Sequence, residues 1–283
     1  MAVDERPVPR FTRSGIEYLD FGAGPDGTVV FAHGFRDSAQ GWVPLGRELV
    51  TRGWRVLAVQ RKAAPAGVAD SGQLLETYAD QVLGVVEAAT SAGERVVVAG
   101  QSMRGAVAEL AALRLGSRVQ RLVLITPAPL GGTPLPSEVL TTFEAAAQVT
   151  DPEAVGTGKL NMCVNTDADT KRRLIISTPE ENPEAILQSL SSWTGGHEAG
   201  GRPSSVAVPT LLVTTDDQFF TEDMLRRQVA PRFKQIRIEA VHGAGHYPHL
   251  ERPIELAGLI AGFQSTSTSD TSVQIRTPSR SRP

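Results

Sequence analysis

The chain has 283 residues, of which 41% are hydrophobic and 21% are charged, a balance that is ordinary for one globular α/β unit. A chain of this length buries roughly three quarters of the surface that its unfolded form exposes, so it needs neither disulfides nor a structural metal to fold. The formal net charge of −3 gives no reason to expect a nucleic acid or an anionic membrane as a partner.

The single cysteine, Cys163, excludes an internal disulfide framework and a cysteine-based zinc cluster, and it fits a reducing compartment. The segment Met1–Arg10 lacks the apolar region that is typical of a signal peptide. No apolar run approaches the length that spans a bilayer. We therefore expect a cytoplasmic protein, and the sequence gives no indication of its oligomeric state.

Short apolar runs alternate along the chain with longer helical patterns, which predicts a mostly parallel sheet with helices on both faces. An opening hairpin is expected at Arg10–Thr12 and Glu17–Phe21. The six strands predicted after it are Thr28–His33, Arg55–Gln60, Arg95–Gly100, Gln120–Thr126, Pro209–Thr215 and Lys234–Val241. Their consecutive aliphatic residues are typical of strands covered on both faces, whereas the last run alternates more and is expected near an edge.

Helical patterns fill the intervals between these strands. They are predicted at Gly41–Arg52, Gln73–Ala92, Met103–Leu115, Glu222–Val229 and Pro253–Phe263. The stretch 128–206 contains no convincing strand, and its helical patterns cover Ser137–Gln148, Ala168–Ser177 and Pro183–Ser192. We interpret 128–206 as a helical lid inserted between two core segments, 1–127 and 207–264. The tail 265–283 is poor in large apolar residues and is expected to be disordered.

Ser102 follows a buried strand and directly precedes a helical pattern, which is the context that gives a G-x-S-x-G motif its meaning. A sharp turn there lifts the hydroxyl above the sheet, and the start of the helix favours developing negative charge. Gly100 occupies the first glycine position, but Arg104 stands at the second and Gly105 one residue later. The alternative interpretation is a serine that caps a helix.

His246 lies in a glycine-flanked loop between the last predicted strand and the last predicted helix. An imidazole with an unperturbed pKa of about 6.5 can accept the proton of a serine and later return it to a leaving group. Asp216 and Asp217 follow the strand Pro209–Thr215, where either carboxylate could orient this histidine or simply form a polar turn. The remaining histidines, His33 apart, are interpreted as surface or packing residues: His197, His242 and His249.

Five sequence segments match motifs of a known family, in the same order along the chain and at the same positions relative to the predicted strands and helices. They are His33-Gly34-Phe35, Trp42 in the following helix, GQSMRG around Ser102, TDDQF around Asp217, and GAGHYPHLERP around His246. On these segments the chain resembles the α/β-hydrolase superfamily from about Arg10 to Phe263, in particular its lidded branch of esterases, lactonases and C–C bond hydrolases.

The resemblance implies an α/β fold with a roughly eight-stranded sheet and a helical lid. It also implies a triad of Ser102, Asp217 and His246, because Asp217 matches the family's acid position better than its neighbour. The backbone N–H groups of Phe35 and Met103 are implied as the oxyanion hole. His33 is implied to brace its loop, and no cofactor or metal is expected.

Our main hypothesis is hydrolysis of a small-molecule carboxylic ester or lactone through an acyl-enzyme on Ser102. One alternative is C–C bond hydrolysis of a diketone-like ring-cleavage product with the same triad. Another is a weakly active, hydrolase-like binding protein, which Arg104 at the nucleophile turn favours. The loop Gln60–Pro65 departs from the family pattern, so substrate preference is not carried over. Candidates to line the pocket under the lid are Leu140, Phe143, Leu187 and Trp193.

Overall fold

The computed structural model describes residues 7–263, whose eight strands form one sheet. The strands are β1 (Val8–Phe11), β2 (Glu17–Asp20), β3 (Gly27–Ala32), β4 (Trp54–Val59), β5 (Val96–Gln101), β6 (Val119–Ile125), β7 (Thr210–Thr215) and β8 (Ile236–Val241). Their order across the sheet is β1-β2-β4-β3-β5-β6-β7-β8. The β1–β2 and β2–β4 pairs are antiparallel, and β3 to β8 run parallel to one another. The predicted fold class is therefore confirmed.

Ten α-helices connect these strands within the described part of the chain. They are α1 (Val43–Val50), α2 (Ser71–Ala89), α3 (Met103–Leu115), α4 (Ser137–Ala146), α5 (Pro152–Gly158), α6 (Ala168–Ser177), α7 (Pro183–Gly195), α8 (Glu222–Gln228), α9 (Pro248–Glu251) and α10 (Pro253–Gly262). None of the helices within residues 7–263 is long and apolar enough to cross a bilayer.

The sheet separates two hydrophobic cores, as expected for strands covered on both faces. One core joins the sheet to α2, α3 and α8, and the other joins it to α1 and α10. Neighbouring residues of one strand enter opposite cores, as Val29 and Val30 of β3 show. Strand β8 lies at the edge of the sheet and is only half buried, which agrees with its alternating sequence.

Helix boundaries differ from the sequence prediction where a cap or a short turn decides them. Helix α2 begins at Ser71, two residues earlier than predicted, because Asp70 caps it through a 2.9 Å bond from the Gln73 N–H. Helices α5 and α9 were not predicted: α5 is short and glycine-rich, and α9 is a single turn inside the histidine loop. The predicted disorder of the tail 265–283 lies outside the described residues.

The helices α4, α5, α6 and α7 lie between β6 and β7, and no strand interrupts them in the structure. Helix α7 packs against α2, while α6 packs against α9 and the turn that precedes α1. These contacts place the insertion beside the carboxyl ends of the parallel strands, where loops from several strands meet.

Candidate active site

Ser102 occupies a sharp turn between β5 and α3, with φ of 55° and ψ of −130°. A positive φ is strained for a residue with a side chain, and such strain tends to mark functional positions. The turn is fixed by three backbone hydrogen bonds: the Ser102 N–H donates to Ile125 at 3.0 Å, and its carbonyl accepts from Gly105 at 2.8 Å and Ala128 at 2.9 Å. The serine is held rigidly at the end of the sheet.

Two glycines allow α3 to pack closely behind this turn. A Cβ at Gly100 would collide with the backbone of Arg104, and one at Gly105 would collide with Pro127. The side chain of Arg104 instead extends towards α2, where its Cζ lies 4.0 Å from the centre of the Tyr78 ring. The close contact that a second glycine normally permits is therefore made by Gly105, and Arg104 does not displace the serine.

Ser102, His246 and Asp217 form one chain of hydrogen bonds. The Oγ of Ser102 lies 2.9 Å from Nε2 of His246, and Nδ1 of His246 lies 2.6 Å from Oδ2 of Asp217. All three residues are only 4% exposed, so these bonds are shielded from water. A serine, an imidazole and a carboxylate in this order can transfer a proton from the serine to the histidine while the carboxylate holds the ring.

The structure also separates the two neighbouring aspartates. Asp217 turns into the protein, where its Oδ1 accepts the Phe219 N–H at 2.8 Å. Asp216 turns outward and binds the Gly243 N–H at 2.7 Å and Nδ1 of His242 at 3.2 Å. Of this pair, the structure brings only Asp217 to the histidine.

The charge on Asp217 is stabilised despite its burial. Burial by itself raises the pKa of the Asp217 carboxyl group. The hydrogen bond from His246, the positive charge of His246 and the Phe219 N–H together lower this pKa by more than burial raises it. The net effect is a pKa below the usual value for aspartate. An ionised Asp217 at neutral pH can therefore stabilise the imidazolium form of His246.

Two buried side chains that the sequence analysis did not single out hold the His246 loop. The Nε2 of Gln101, directly before the serine, donates to the His246 carbonyl at 2.8 Å. Glu251 accepts the N–H groups of Gly245 at 2.9 Å and Tyr247 at 3.2 Å. Glu251 lies five residues after His246, within the segment GAGHYPHLERP, but the sequence alone does not show where its carboxylate points.

The insertion contributes directly to the position of His246. The His246 N–H donates to the carbonyl of Met162 at 2.8 Å. The second oxygen of Glu251 accepts the N–H groups of Val164 at 2.8 Å and Asn165 at 2.9 Å. The histidine loop and the segment between α5 and α6 therefore form one hydrogen-bonded unit.

Phe35 and Met103, the residues implied as oxyanion donors, lie in loops that meet at Ser102. A Cβ at Gly34 would collide with Gln101 and lie 3.2 Å from the Cβ of Ser102, so this loop closely approaches the serine. Met103 is the first residue of α3, and the first N–H groups of a helix have no partner within it. The structure therefore brings the loop of Phe35 and the start of α3 to Ser102, and the role of the two N–H groups as oxyanion donors stays a prediction.

The loop that carries Phe35 is tied to the insertion at two points. Arg36, with φ of 54°, donates through Nη1 to the Ala146 carbonyl at 2.7 Å and through Nη2 to Val149, at the carboxyl end of α4. In return, Nζ of the buried Lys159 donates to the Arg36 carbonyl at 2.5 Å. Burial lowers the pKa of Lys159 to about 8, against the opposing charge of Asp37.

Five aromatic side chains, Phe35, Phe143, Trp193, Phe219 and Phe220, form a cluster of edge-to-face contacts that reaches the ring of His246. Trp193 touches the other four with ring centres 5.7–6.4 Å apart, and Phe220 lies 5.7 Å from the His246 ring. Leu140 packs at the margin of the core, whereas Leu187 is 37% exposed and does not join the cluster. Beside the cluster, a cavity of about 420 Å³ is lined by Phe143, Phe219 and Asp217, among others.

The other histidines occupy places that suit packing or surface roles. His249 is buried against Trp42 and lies 3.3 Å from Asp37, and His197 lies 3.3 Å from Glu76 at the surface. His33 bonds the Arg61 N–H at 3.1 Å, and burial followed by the charge of Arg104 lowers its pKa to about 3. Within residues 7–263, the His, Cys, Asp and Glu side chains form no group of three or more that could hold a metal ion.

The comparisons with known proteins concern the family and the fold. A model described as the alpha/beta hydrolase family matches residues 29–259. The 2-hydroxy-6-oxononadienedioate/2-hydroxy-6-oxononatrienedioate hydrolase of Paraburkholderia xenovorans is 26% identical over 267 residues, which cover 88% of this chain and 90% of that protein.

Two solved structures show the same fold. A thermophilic esterase from Thermogutta terrifontis superposes with a TM-score of 0.71 at 20% identity, over 90% of this chain and 97% of its own. The enol-lactonase from Burkholderia xenovorans LB400 superposes with a TM-score of 0.69 at 17% identity, over 89% of this chain and 98% of its own. At these identities the likeness shows the fold alone. Because the family model spans most of the chain, the protein belongs to the alpha/beta hydrolase family.

Proposed function

We propose that this hydrolase cleaves a carboxylic ester or lactone through an acyl-enzyme formed on Ser102. The observation that carries the proposal is the buried chain of hydrogen bonds from Ser102 through His246 to Asp217, with lengths of 2.9 Å and 2.6 Å. This is the geometry in which a histidine can activate a serine hydroxyl for nucleophilic attack.

In the first half of the proposed reaction, Oγ of Ser102 bonds to the carbonyl carbon of the substrate while Nε2 of His246 accepts the hydroxyl proton. The negative oxygen of the tetrahedral intermediate is stabilised by the N–H groups of Phe35 and Met103. His246 then donates its proton to the alcohol oxygen as the bond from carbon to that oxygen breaks. A lactone follows the same path and leaves its alcohol attached to the acyl chain.

In the second half, a water molecule attacks the acyl carbon and His246 accepts one of its protons. The bond from the acyl carbon to Oγ breaks, the proton returns to Ser102, and the carboxylic acid departs. Asp217 keeps Nδ1 of His246 protonated throughout, so that Nε2 is free to accept at each attack.

The surroundings of Ser102 favour a substrate with an apolar or aromatic portion. The aromatic cluster supplies several ring faces and edges but no cation. The adjoining cavity of about 420 Å³ is in the range of small-molecule sites, and Phe143 and Phe219 contribute to both. We infer that the apolar part of the ester lies against these two side chains.

One observation favours C–C bond hydrolysis as a second candidate. The relative from Paraburkholderia xenovorans is named for a 2-hydroxy-6-oxo dicarboxylate, which contains no ester. Hydrolysis of such a compound requires cleavage of a carbon–carbon bond. A dicarboxylate is favoured by cations in the pocket, whereas the described lining of the 420 Å³ cavity includes Asp216 and Asp217 and no lysine or arginine, so the ester hypothesis is preferred. Turnover of a vinylogous 1,5-diketone without turnover of simple esters would reverse this preference.

The binding-protein alternative rested on Arg104 at the nucleophile turn. In the structure its side chain extends towards Tyr78, and the bond from Ser102 to His246 is intact. The feature that favoured a non-catalytic role therefore does not disturb the serine.

The decisive experiment treats the purified protein with a fluorophosphonate and measures the mass of the intact chain. We expect a single adduct on the wild type and none on Ser102→Ala. Ser38→Ala is the matched control, since Ser38 is also a buried serine at this edge of the sheet but does not bond His246. Labelling that persists in Ser102→Ala, or a wild type that does not label, would contradict the proposal. A panel of aryl and alkyl esters and lactones then identifies the substrate class.

A further inference from the structure

The loop that carries Phe35 has an uncommon backbone conformation that side chains hold in place. Phe35 and Arg36 form a turn, and Arg36 has φ of 54°, which few residues with a side chain adopt. Directly after this turn, the Ser38 N–H donates to Oδ1 of Asp37 at 3.0 Å. A conformation of this kind persists only where surrounding contacts determine it.

A buried lysine of the insertion binds the turn at the carbonyl of Arg36. Lys159 follows α5 in a short 3₁₀ turn, and its side chain is only 6% exposed. Its Nζ donates to the Arg36 carbonyl at 2.5 Å. Burial lowers the pKa of Lys159 to about 8, so the ammonium keeps most of its charge at pH 7. A hydrogen bond from a charged donor is shorter and stronger than a neutral one, so it fixes the direction of this carbonyl.

The same ammonium lies close to two other groups of the active-site loops. It is 4.0 Å from Oδ1 of Asp37, whose side chain is fully buried, and 5.7 Å from the centre of the Tyr247 ring. Tyr247 directly follows His246, the proposed base. One side chain of the insertion therefore reaches both the loop of Phe35 and the loop of His246.

Asp37 keeps this ammonium beside the Arg36 carbonyl. Its Oδ2 lies 3.3 Å from Nε2 of the buried His249, and a Cβ at Gly41 would lie 2.9 Å from both carboxylate oxygens. Burial raises the pKa of Asp37, but the charge of Lys159 and the hydrogen bond with His249 lower it by more. The carboxylate is therefore ionised and closely surrounded, and it attracts the ammonium to one place.

The side chain of Arg36 forms a second connection to the insertion. Its Nη1 donates to the Ala146 carbonyl at 2.7 Å and its Nη2 donates to the Val149 carbonyl, at and after the end of α4. These bonds are exposed, so water competes with them, whereas the side chain of Lys159 is withdrawn from water. We therefore expect the lysine to contribute more than the arginine side chain to the conformation of the loop.

We propose that Lys159 is a positioning residue, whose bond to the Arg36 carbonyl holds the N–H of Phe35 in the direction of Ser102. This inference rests on the proposed function, in which that N–H donates to the oxyanion. Only the φ and ψ angles of Phe35 and Arg36 separate the N–H from the bonded carbonyl, because the peptide units between them are planar. A rotation at Arg36 is therefore passed to the donor. Lys159 acts through the loop and is assigned no contact with the substrate.

The kinetic test compares Lys159→Met with the wild type on an activated aryl ester at pH 7. An oxyanion donor acts in the transition state, so its displacement should lower kcat on the order of 10- to 100-fold and leave KM nearly unchanged. Arg173→Met is the matched control, because Arg173 also belongs to the insertion and donates to a backbone carbonyl, that of Leu250, at 2.7 Å, but does not bond the loop of Phe35. It should keep the wild-type kcat. An unchanged kcat in Lys159→Met, or an equal loss in both variants, would overturn the proposal.

A double variant separates positioning from the simpler role of neutralising Asp37. Lys159→Met leaves a buried carboxylate without its cation, which is destabilising, whereas Asp37→Asn combined with Lys159→Met removes both charges. The double variant therefore also serves if the single one does not fold. Because the Arg36 carbonyl still lacks its donor, positioning predicts that kcat of the double variant stays on the order of 10- to 100-fold below that of Asp37→Asn alone. Equal kcat values in these two variants would overturn the proposal.

Crystal structures of the variants distinguish failure of this inference from failure of the proposed hydrolysis. In Lys159→Met, or in the double variant, the Arg36 carbonyl should turn away from residue 159 and the Phe35 N–H should rotate with it, while Arg173→Met keeps the wild-type loop. An unchanged loop would overturn the inference whatever the activity. A wild type that does not label with a fluorophosphonate would instead refute the proposed hydrolysis, and a displaced loop would still support the positioning role of Lys159.

Discussion

Replacement of Asp217 by asparagine tests the hydrogen bond that orients the proposed base. Asp217 accepts from His246 through Oδ2 at 2.6 Å and from the Phe219 N–H through Oδ1 at 2.8 Å. Asparagine has a single acceptor oxygen, so its NH₂ group must face one of these two donors. If it faces His246, Nδ1 becomes the acceptor and the ring proton moves to Nε2. In that tautomer His246 cannot accept the proton of Ser102.

The size of the effect follows from the distance between the two groups. For unit charges 2.6 Å apart, Coulomb's law with an effective dielectric constant of about 20 gives roughly 6 kcal/mol. Both side chains are buried, so water and salt screen this interaction little. A change of about 1.4 kcal/mol in the activation free energy changes the rate tenfold. The loss of most of this interaction energy in Asp217→Asn should therefore slow the reaction about 10⁴-fold.

The assay is the second-order rate constant for fluorophosphonate labelling, followed by kcat on an activated aryl ester. Asp216→Asn is the matched control, because Asp216 is the adjacent residue, is half exposed, and its carboxylate bonds His242 and Gly243 rather than His246. Its rates should stay within a few-fold of the wild type, since exposed ion pairs contribute little. An orienting role for Asp217 is refuted if Asp217→Asn keeps more than about a tenth of the wild-type rate, or if both variants lose equal activity.

Three further predictions concern the supports of the site. Gly34→Ala should lower kcat on the order of 100-fold, because the new Cβ collides with Gln101, which is pinned to the His246 carbonyl; an unchanged kcat would contradict this. Glu251→Gln should lower the free energy of unfolding in urea by roughly 3 kcal/mol or more, since an amide NH₂ would face backbone N–H donors; a loss below about 1 kcal/mol would argue against it. The pKa of Lys159 is about 8 in the folded protein against an ordinary value of 10.5, so the unfolded chain holds more protons on this group between these values, and the contribution of Lys159 alone to stability should rise with pH there by roughly 3 kcal/mol, partly offset in the wild type by Cys163 and Tyr247, whose pKa values burial raises. Urea unfolding at several pH values should show that this rise is missing in Lys159→Met, and an identical rise in both proteins would exclude Lys159 as its source.

The sequence predicts best the parts of the fold that local patterns determine. Helix α3 begins at Met103 and ends at Leu115 as predicted, because a buried strand precedes it and Gly116 ends it with φ of 55°. The residues proposed as nucleophile and base are recognisable for a similar reason. Each lies in a short segment whose glycines are required by close packing, as at Gly100 against Arg104.

The parts that could not be predicted depend on the direction of side chains and on contacts distant in the chain. Arg104 breaks the expected glycine pattern, but its effect depends on Tyr78, which lies on another helix. The choice between Asp216 and Asp217 rested on resemblance, whereas the structure distinguishes them by the turn that sends one inward and the other to His242. Neither Tyr78 nor His242 is marked by any local motif.

The insertion, which the sequence predicts to be a lid, is held to the active-site loops by hydrogen bonds. The Met162 carbonyl receives the His246 N–H at 2.8 Å, and Lys159 binds the carbonyl of Arg36 at 2.5 Å. A rigid displacement of the whole insertion would therefore break bonds to the base and to the loop of Phe35 together. By contrast, Phe143 of the insertion meets Phe219 of the core through ring contacts, which side-chain rotation can open. These aromatic side chains can therefore rotate while the backbone bonds that position His246 stay in place.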